Sequence, residues 1–249
     1  MRQAVANTAN SGIERATGTR ERILRATESL FVTHGFDGSS LRLVTSAAKV
    51  NLGAVNYHFG GKEGLFEALI AQRLDALHAG RLTLLDRYEA EARDKALDCE
   101  RILDALFIPA LDIARHREGG EDFLRFLGRV YIDPSPVLRK FLSERYAPSI
   151  ARFKDAFARA LPQIPRQELS WRLHFMMGAL AYTLAGADAW KLISALSPGE
   201  QPNDALLLHR LAPFLIAGLQ APLPPAYDAS LVAADLRSVR AVRGATVHS

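Results

Sequence analysis

The segment from Ser39 to Phe66, SSLRLVTSAAKVNLGAVNYHFGGKEGLF, constrains the fold more than any other part of the chain. It has the pattern of a short helix, a tight turn, a second short helix ending in an aromatic cluster, and the start of a third. Ser39 or Ser40 is suited to cap the first helix, because a serine oxygen accepts an amide hydrogen that the helix leaves unpaired. Leu41, Val44 and Ala48 then recur at helical spacing on one face. Val50 anchors the turn, Asn51 is a second cap, and Val55 and Phe59 point inward from the helix Leu52–Phe59. Gly53, Ala54, Asn56, Tyr57 and His58 are left for outward faces. A short helix with small residues in front and polar or aromatic ones behind suits the major groove of DNA. The bland alternative is a helical hairpin closed by an aromatic plug.

On either side of this segment the apolar residues also recur at helical spacing. Ile23, Ala26, Thr27, Leu30 and Phe31 predict a helix over Thr19–Gly35, with Gly35 as its stop. Beyond Gly60-Gly61, Lys62 opens a helix whose stripe is Leu65, Phe66, Leu69, Ile70, Leu74 and Leu77, continuing toward Gly80. Leu82–Lys95 reads as a further, charged helix. Cys99–Ala114 carries a dense apolar stripe broken by Pro109, which should kink it. Asp122–Ile132 ends at DPSP, and Val137–Leu161 contains Pro148, which bends or splits it. Arg166 to about Leu196 is the most apolar stretch, rich in Gly and Ala, and Ala205–Leu219 follows a Pro- and Gly-containing loop. No strand-like alternation persists and no repeat of 20 to 50 residues appears, so the chain reads as all-α. Residues 1–18, without an apolar period, read as a disordered arm. The tail 223–249 has only weak helical spacing, with arginines at 237, 240 and 243.

Composition narrows the function. With 49% hydrophobic and 23% charged residues and a net charge of +4, the chain is no polycation, so basic charge must be local if DNA is its partner. No apolar run reaches the ~18 residues of a membrane span. The N-terminus lacks the core of a secretory signal. The single cysteine, Cys99, fits a reducing cytoplasm. There is no phosphate- or dinucleotide-binding glycine loop, no nucleophile elbow and no zinc motif. The seven histidines are scattered, and no cofactor or metal is called for. An acyl-processing enzyme or carrier stays as a rival class, but no residues group as nucleophile, base and oxyanion site.

For DNA, the candidate contacts are Arg42, Thr45, Lys49, Asn51, Leu52, Gly53, Ala54, Asn56, Tyr57, His58 and Lys62. Tyr57, His58 and Lys62 suit phosphates, Lys62 standing at a helix start where a cation and free amides coincide. Asn51 through Asn56 stand near enough for base edges, since amides bond bases bidentately and an apolar side chain touches a thymine methyl.

The run NLGAVNYHFGGKEGL, with Tyr57, Phe59, Lys62 and Leu65 at their spacing, resembles the DNA-binding signature of the TetR family of bacterial repressors. The resemblance extends over residues 19–66. It implies a helix-turn-helix head of three helices at 19–64, then a larger helical domain at 65–222 that binds a small effector and dimerises through its last two helices. Those helices would here be Arg166–Leu196 and Ala205–Leu219. It also implies a palindromic DNA operator, release of that operator by the effector, and a cytoplasmic homodimer. The stretches SLRLVTSAAKVNLGAVNYHFG, LRKFL and WRLHFMMGA are further similar to the branch that senses long-chain fatty acids or their CoA esters and controls fatty-acid metabolism. The alternative is a regulator of efflux or another pathway with a different ligand. On the acyl reading, the pocket is expected among Phe107, Phe126, Phe141 and Phe153, with Phe175 closing one side. Arg125, Arg129 and Arg145 are then the candidate anchors for a carboxylate or CoA phosphates. A plain hydrophobic core and exposed arginines describe the same residues.

Overall fold

A computed structural model describes residues 2–116, 122–185 and 204–223, with side chains described for 18–116, 122–184 and 209–223. Among the described residues the structure is wholly helical. The helices are α1 (Arg2–Gly38), α2 (Leu41–Ala48), α3 (Leu52–Phe59), α4 (Lys62–Ala92), α5 (Cys99–His116), α6 (Phe123–Ile132), α7 (Pro136–Arg145), α8 (Ala147–Ala160), α9 (Arg166–Ala185) and α10 (Asp204–Gln220). One compact unit closes at Leu219 and a second begins at Gln220.

Helix α1 stops its regular course at Gly35, where φ is 70° and ψ −172°. A Cβ at Gly35 would lie 1.9 Å from an Arg129 guanidinium nitrogen, so both the backbone angle and the close approach require glycine. The arm expected to be disordered is instead the beginning of α1. Once the turn at residues 19–34 is nucleated, extending it backward costs little, because each added residue gains one hydrogen bond.

The expected break near Gly80 does not occur either. Helix α4 runs through it to Ala92, and a Cβ at Gly80 would stand 3.3 Å from the Pro109 ring. The glycine serves close packing of α4 on α5 rather than termination. Pro109 lies inside α5, and Pro148 at the start of α8 splits the expected long helix into α7 and α8. Ser135 caps α7, with Pro136 in its first turn, a position that needs no amide hydrogen.

The core is continuous from the head into the rest of the unit. Phe31 of α1 lies edge-on to Phe66 of α4 at 5.5 Å and to Phe126 of α6 at 5.6 Å, and Phe36 meets Phe66 at 4.8 Å. All four rings are buried. Arg73 of α4 binds Glu28 of α1 through its Nε at 2.8 Å, and burial raises the Glu28 carboxyl above its usual range. Helix α6 packs along α9. Cys99 is buried, which pushes its thiol pKa up and keeps the nucleophilic thiolate scarce. None of the described helices is long and apolar enough to cross a membrane. The expected loop residues 117–121, residues 186–196 of the last long apolar helix, and the tail from 224 onward lie outside the described residues.

Candidate functional site

The head is built by local caps. Ser40 accepts from the Leu43 amide at 3.3 Å, and Asn51 accepts from the Ala54 amide at 2.9 Å. Lys49 ends α2 in the left-handed region, φ 54°. Gly60 ends α3 at φ 74°, its amide donating to the Asn56 carbonyl at 2.9 Å. A Cβ on Gly64 would fall 2.1 Å from the Phe59 carbonyl oxygen. Glycine there lets the first turn of α4 sit directly against the end of α3.

This frame buries Val55 and leaves Leu52, Gly53, Asn56 and Tyr57 exposed on α3, with Tyr57 84% accessible. Arg42, Lys49 and Asn51 are exposed beside them, and Thr45, Ala54, His58 and Lys62 are half-buried. All eleven candidate contacts therefore belong to α2, α3, their connecting turn and the start of α4. Leu43, which sequence reasoning passed over, is 46% exposed on α2. The Asn51 side-chain oxygen is occupied by its cap. Thr45 donates its hydroxyl to the Arg42 carbonyl at 3.1 Å. Lys62 also has a partner inside the head: its Nζ donates to the Asp37 carbonyl at 3.3 Å and lies 4.5 Å from the centre of the Phe36 ring. Phe59 turns inward, with the Arg20 guanidinium 5.5 Å from its ring centre.

Further along α4 is a cavity of about 280 Å³. Leu74, His78, Arg81, Leu106, Tyr131, Leu142, Tyr146, Ser149, Phe153, Phe157, Met176 and Leu180 contribute to its wall. Helix α9 turns Leu173, Met176, Met177 and Leu180 to it. His78 stacks on Tyr146 at 3.9 Å, and its Nδ1 is 3.0 Å from the Ser149 hydroxyl. Burial, and then the Arg81 charge, lower the His78 pKa to about 3, so its imidazole is neutral near neutral pH. The Tyr146 hydroxyl donates to Asp75 at 2.9 Å, and burial, followed by that bond, raises its pKa.

The lining differs from the expected aromatic set. Phe153 is in the wall, but Phe107, Phe126, Phe141 and Phe175 are not. Phe126 is used in the core against Phe31, and Phe107 is buried in the core. Phe141 packs against the Arg145 guanidinium at 5.9 Å. Phe175 is 63% exposed, because a helix that faces Met176 and Leu180 inward turns residue 175 about 100° away. None of the expected anchors borders the cavity. Arg145 forms two bonds to Asp75, at 2.8 and 2.5 Å; these, first of all, hold the Asp75 carboxyl below its usual range. Arg125 lies 3.7 Å from Asp122, and Arg129 lies 3.6 Å from Asp133 beside Gly35. Sequence reasoning missed His78 and Arg81, although a signal was present. Arg81 follows Leu74 and Leu77 at i+7 and i+4, on the buried stripe of α4.

Two family models match this arrangement. Bacterial regulatory proteins of the tetR family match residues 23–69, and the tetracyclin repressor-like C-terminal domain matches residues 104–218. The chain belongs to the TetR family. Its family models describe bacterial regulators, not enzymes. A Bacillus subtilis relative named Probable HTH-type transcriptional regulator YttP is 26% identical over 125 residues, covering 50% of this chain and 56% of that protein. The HTH-type transcriptional repressor AcnR of Corynebacterium glutamicum is 38% identical over 56 residues, 22% of this chain and 30% of AcnR. The chain thus spans about half of the first relative and less than a third of the second. The crystal structure of an HlyIIR mutant superposes with a TM-score of 0.50 at 18% identity, covering 83% of this chain and 100% of that one. At that identity the likeness is one of TetR fold.

Proposed function

We propose that this TetR-family protein is a homodimeric, sequence-specific DNA-binding repressor that a small apolar effector releases from a palindromic operator. The observation that carries this reading is the exposed face of α3, where Leu52, Gly53, Asn56 and Tyr57 stand clear of the protein around a single buried Val55. Asn56 reads base edges and Leu52 meets a thymine methyl, while Gly53 and Ala54 let the helix backbone approach the groove. Tyr57, His58, Arg42, Thr45 and Lys49 serve the phosphates. Lys62 serves them chiefly through the α4 amides, since its ammonium also binds the Asp37 carbonyl. Asn51 contributes mainly by its cap, which sets the pitch of α3.

Dimerisation is supported by an exposed apolar stripe on α9, where Trp171, Phe175 and Tyr182 are 56%, 63% and 66% accessible around Gly178, and by Phe214 on α10 at 69%. Exposed aromatics in such a row suit a partner surface. A two-fold pair of heads would read half-sites roughly 34–36 Å apart. The effector site fits the cavity against α4, and α4 begins in the head and reaches Arg81 about 28 Å later at 1.5 Å per residue. An effector that prefers the arrangement with misplaced heads releases DNA, whereas equal affinity for both arrangements shifts nothing.

The test is a gel shift and footprint on the DNA upstream of the protein's own gene. A protected palindrome with two half-sites one helical turn apart is the expected result. Binding that is indifferent to sequence and vanishes with salt would overturn the reading.

A further inference from the structure

Arg81 is an unusual residue to find in an apolar wall. It is 4% exposed and borders the cavity. Its Nε donates to the Leu106 carbonyl and a terminal nitrogen donates to the Tyr131 hydroxyl, each at 3.0 Å. Both acceptors are neutral. Among the described residues no carboxylate forms an ion pair with it. The carboxylates nearest along α4 are engaged elsewhere: Asp75 with Arg145, and Asp86 and Glu89 with Arg152. A guanidinium stays protonated in a protein. Removing its charge from water without a counter-ion is costly unless something else supplies one.

We propose that the cavity takes a small apolar monocarboxylate whose carboxylate pairs with Arg81 and whose hydrocarbon body lies against Leu142, Phe153 and Met176. The assignment deepens the reading of this protein as an effector-released regulator and rests on it.

Three features narrow the ligand to this class. The charge at the inner wall is single, because His78 beside Arg81 is neutral; a monoanion matches it, whereas a dianionic phosphate leaves a charge buried and unmatched. The other cation on the wall, Lys154, is exposed to solvent at the rim. The rest of the wall is almost wholly hydrocarbon, which stabilises an apolar body by removing it from water. The size of the cavity, about 280 Å³, lies just below the roughly 300–1,000 Å³ usual for pockets of drug-sized ligands, which favours a small ligand. A CoA ester fits poorly on two counts: its nucleotide is too large for the cavity, and its thioester has no carboxylate to offer Arg81. The Tyr131 hydroxyl holds Arg81 in place for a planar, two-oxygen partner, the geometry in which guanidinium and carboxylate bond best.

The experiment is calorimetry on the full chain with three probes, octanoate, 1-octanol and octanoyl-CoA, repeated on Arg81→Met. The wild type is expected to bind octanoate about tenfold to a hundredfold more tightly than 1-octanol, the range of a hydrogen bond to a charged group. Arg81→Met should lose that preference while binding 1-octanol as before, with its fold checked by thermal melting. If Arg81→Met does not fold, the acid–alcohol comparison on the wild type decides alone. Equal affinity for octanoate and 1-octanol, tighter binding of octanoyl-CoA, or binding of none of the three overturns the proposal. A parallel operator gel shift without ligand separates the two readings. Intact DNA binding with failed octanoate binding removes only the carboxylate assignment, and failed DNA binding removes the regulator.

Discussion

The reading head and the cavity are both functional surfaces, but different kinds of contact hold their side chains in place. In the head, Ser40 caps Leu43, Thr45 bonds Arg42 and Asn51 caps Ala54, each across three residues. In the cavity, His78 meets Ser149 across 71 residues, Arg81 meets Tyr131 across 50, and Tyr146 meets Asp75 across 71. A surface that must match a fixed partner, the DNA groove, is set by local caps that hold it rigid. A surface that must change when filled draws its groups from α4, α6, α7 and α8, so a small shift of one helix alters several of them. Packed elements of this kind have discrete alternative arrangements rather than a continuous range.

Asp133 ties the head to the end of α6, the helix that also carries Tyr131 of the cavity wall, and removing it should have the largest effect. Its side chain is 2% exposed, accepts from the Phe36 amide in the head at 3.0 Å and from the Ser135 amide at 3.0 Å, and faces Arg129. Asp133→Ala leaves both amides and the Arg129 charge without their partner. We expect a loss of about 4 kcal/mol in urea unfolding, the scale of breaking a buried ion pair. In a variant that still folds, effector and operator should no longer compete. Gly64→Ala strikes the head alone. Its new methyl would meet the Phe59 carbonyl, a backbone atom that cannot move without unwinding the end of α3, and a loss of about 3 kcal/mol is expected for such overpacking. Effector binding measured below the unfolding transition should be unaffected.

Acid strikes the cavity through His78. The folded His78 resists protonation down to about pH 3, whereas an unfolded histidine takes its proton near 6.5. The stability this contributes is therefore complete above about pH 6.5 and is lost as pH falls toward 3. By pH 5 the loss is about 2 kcal/mol at 1.36 kcal/mol per pH unit. His78→Phe keeps a ring for Tyr146 to stack on and should flatten the decline between pH 6.5 and 5. An unchanged pH slope in that variant would assign the acid sensitivity to other groups, but not to Glu28 or Asp104, whose raised carboxyl pKa values act in the opposite sense.

The same contrast explains what could be read from the sequence. Ser40, Asn51 and Gly60 act within one helical turn of their own positions, so the head was legible from spacing and cap chemistry. The cavity was not. Phenylalanines near one another in sequence pointed to Phe107, Phe126 and Phe141 as its wall, yet Phe126 packs on Phe31 of α1, and Met176 and Leu180 line the space that remains. Gly80 carried a stop signal that the proximity of Pro109, on another helix, turned into a packing requirement. The arginines proposed as anchors were chosen by charge, and each has a carboxylate of its own: Asp122, Asp133 or Asp75. Arg81 was legible only as a charge interrupting an apolar stripe.

The central claim is that the exposed front of α3 distinguishes one DNA sequence from another while the residues around it hold the backbone. Fluorescence anisotropy with an operator duplex and a scrambled duplex of equal length measures this most directly, on the wild type, Asn56→Ala and Lys49→Ala. Asn56 is exposed on α3 and caps nothing, so its loss should leave stability unchanged and reduce the operator-to-scramble affinity ratio about tenfold, within the ~1–3 kcal/mol of a base contact. Lys49→Ala should weaken both duplexes alike and lower the salt slope by about one contact. If Asn56→Ala and Lys49→Ala weaken both duplexes equally, or if the wild type does not prefer the operator, the α3 face does not read sequence and the account fails.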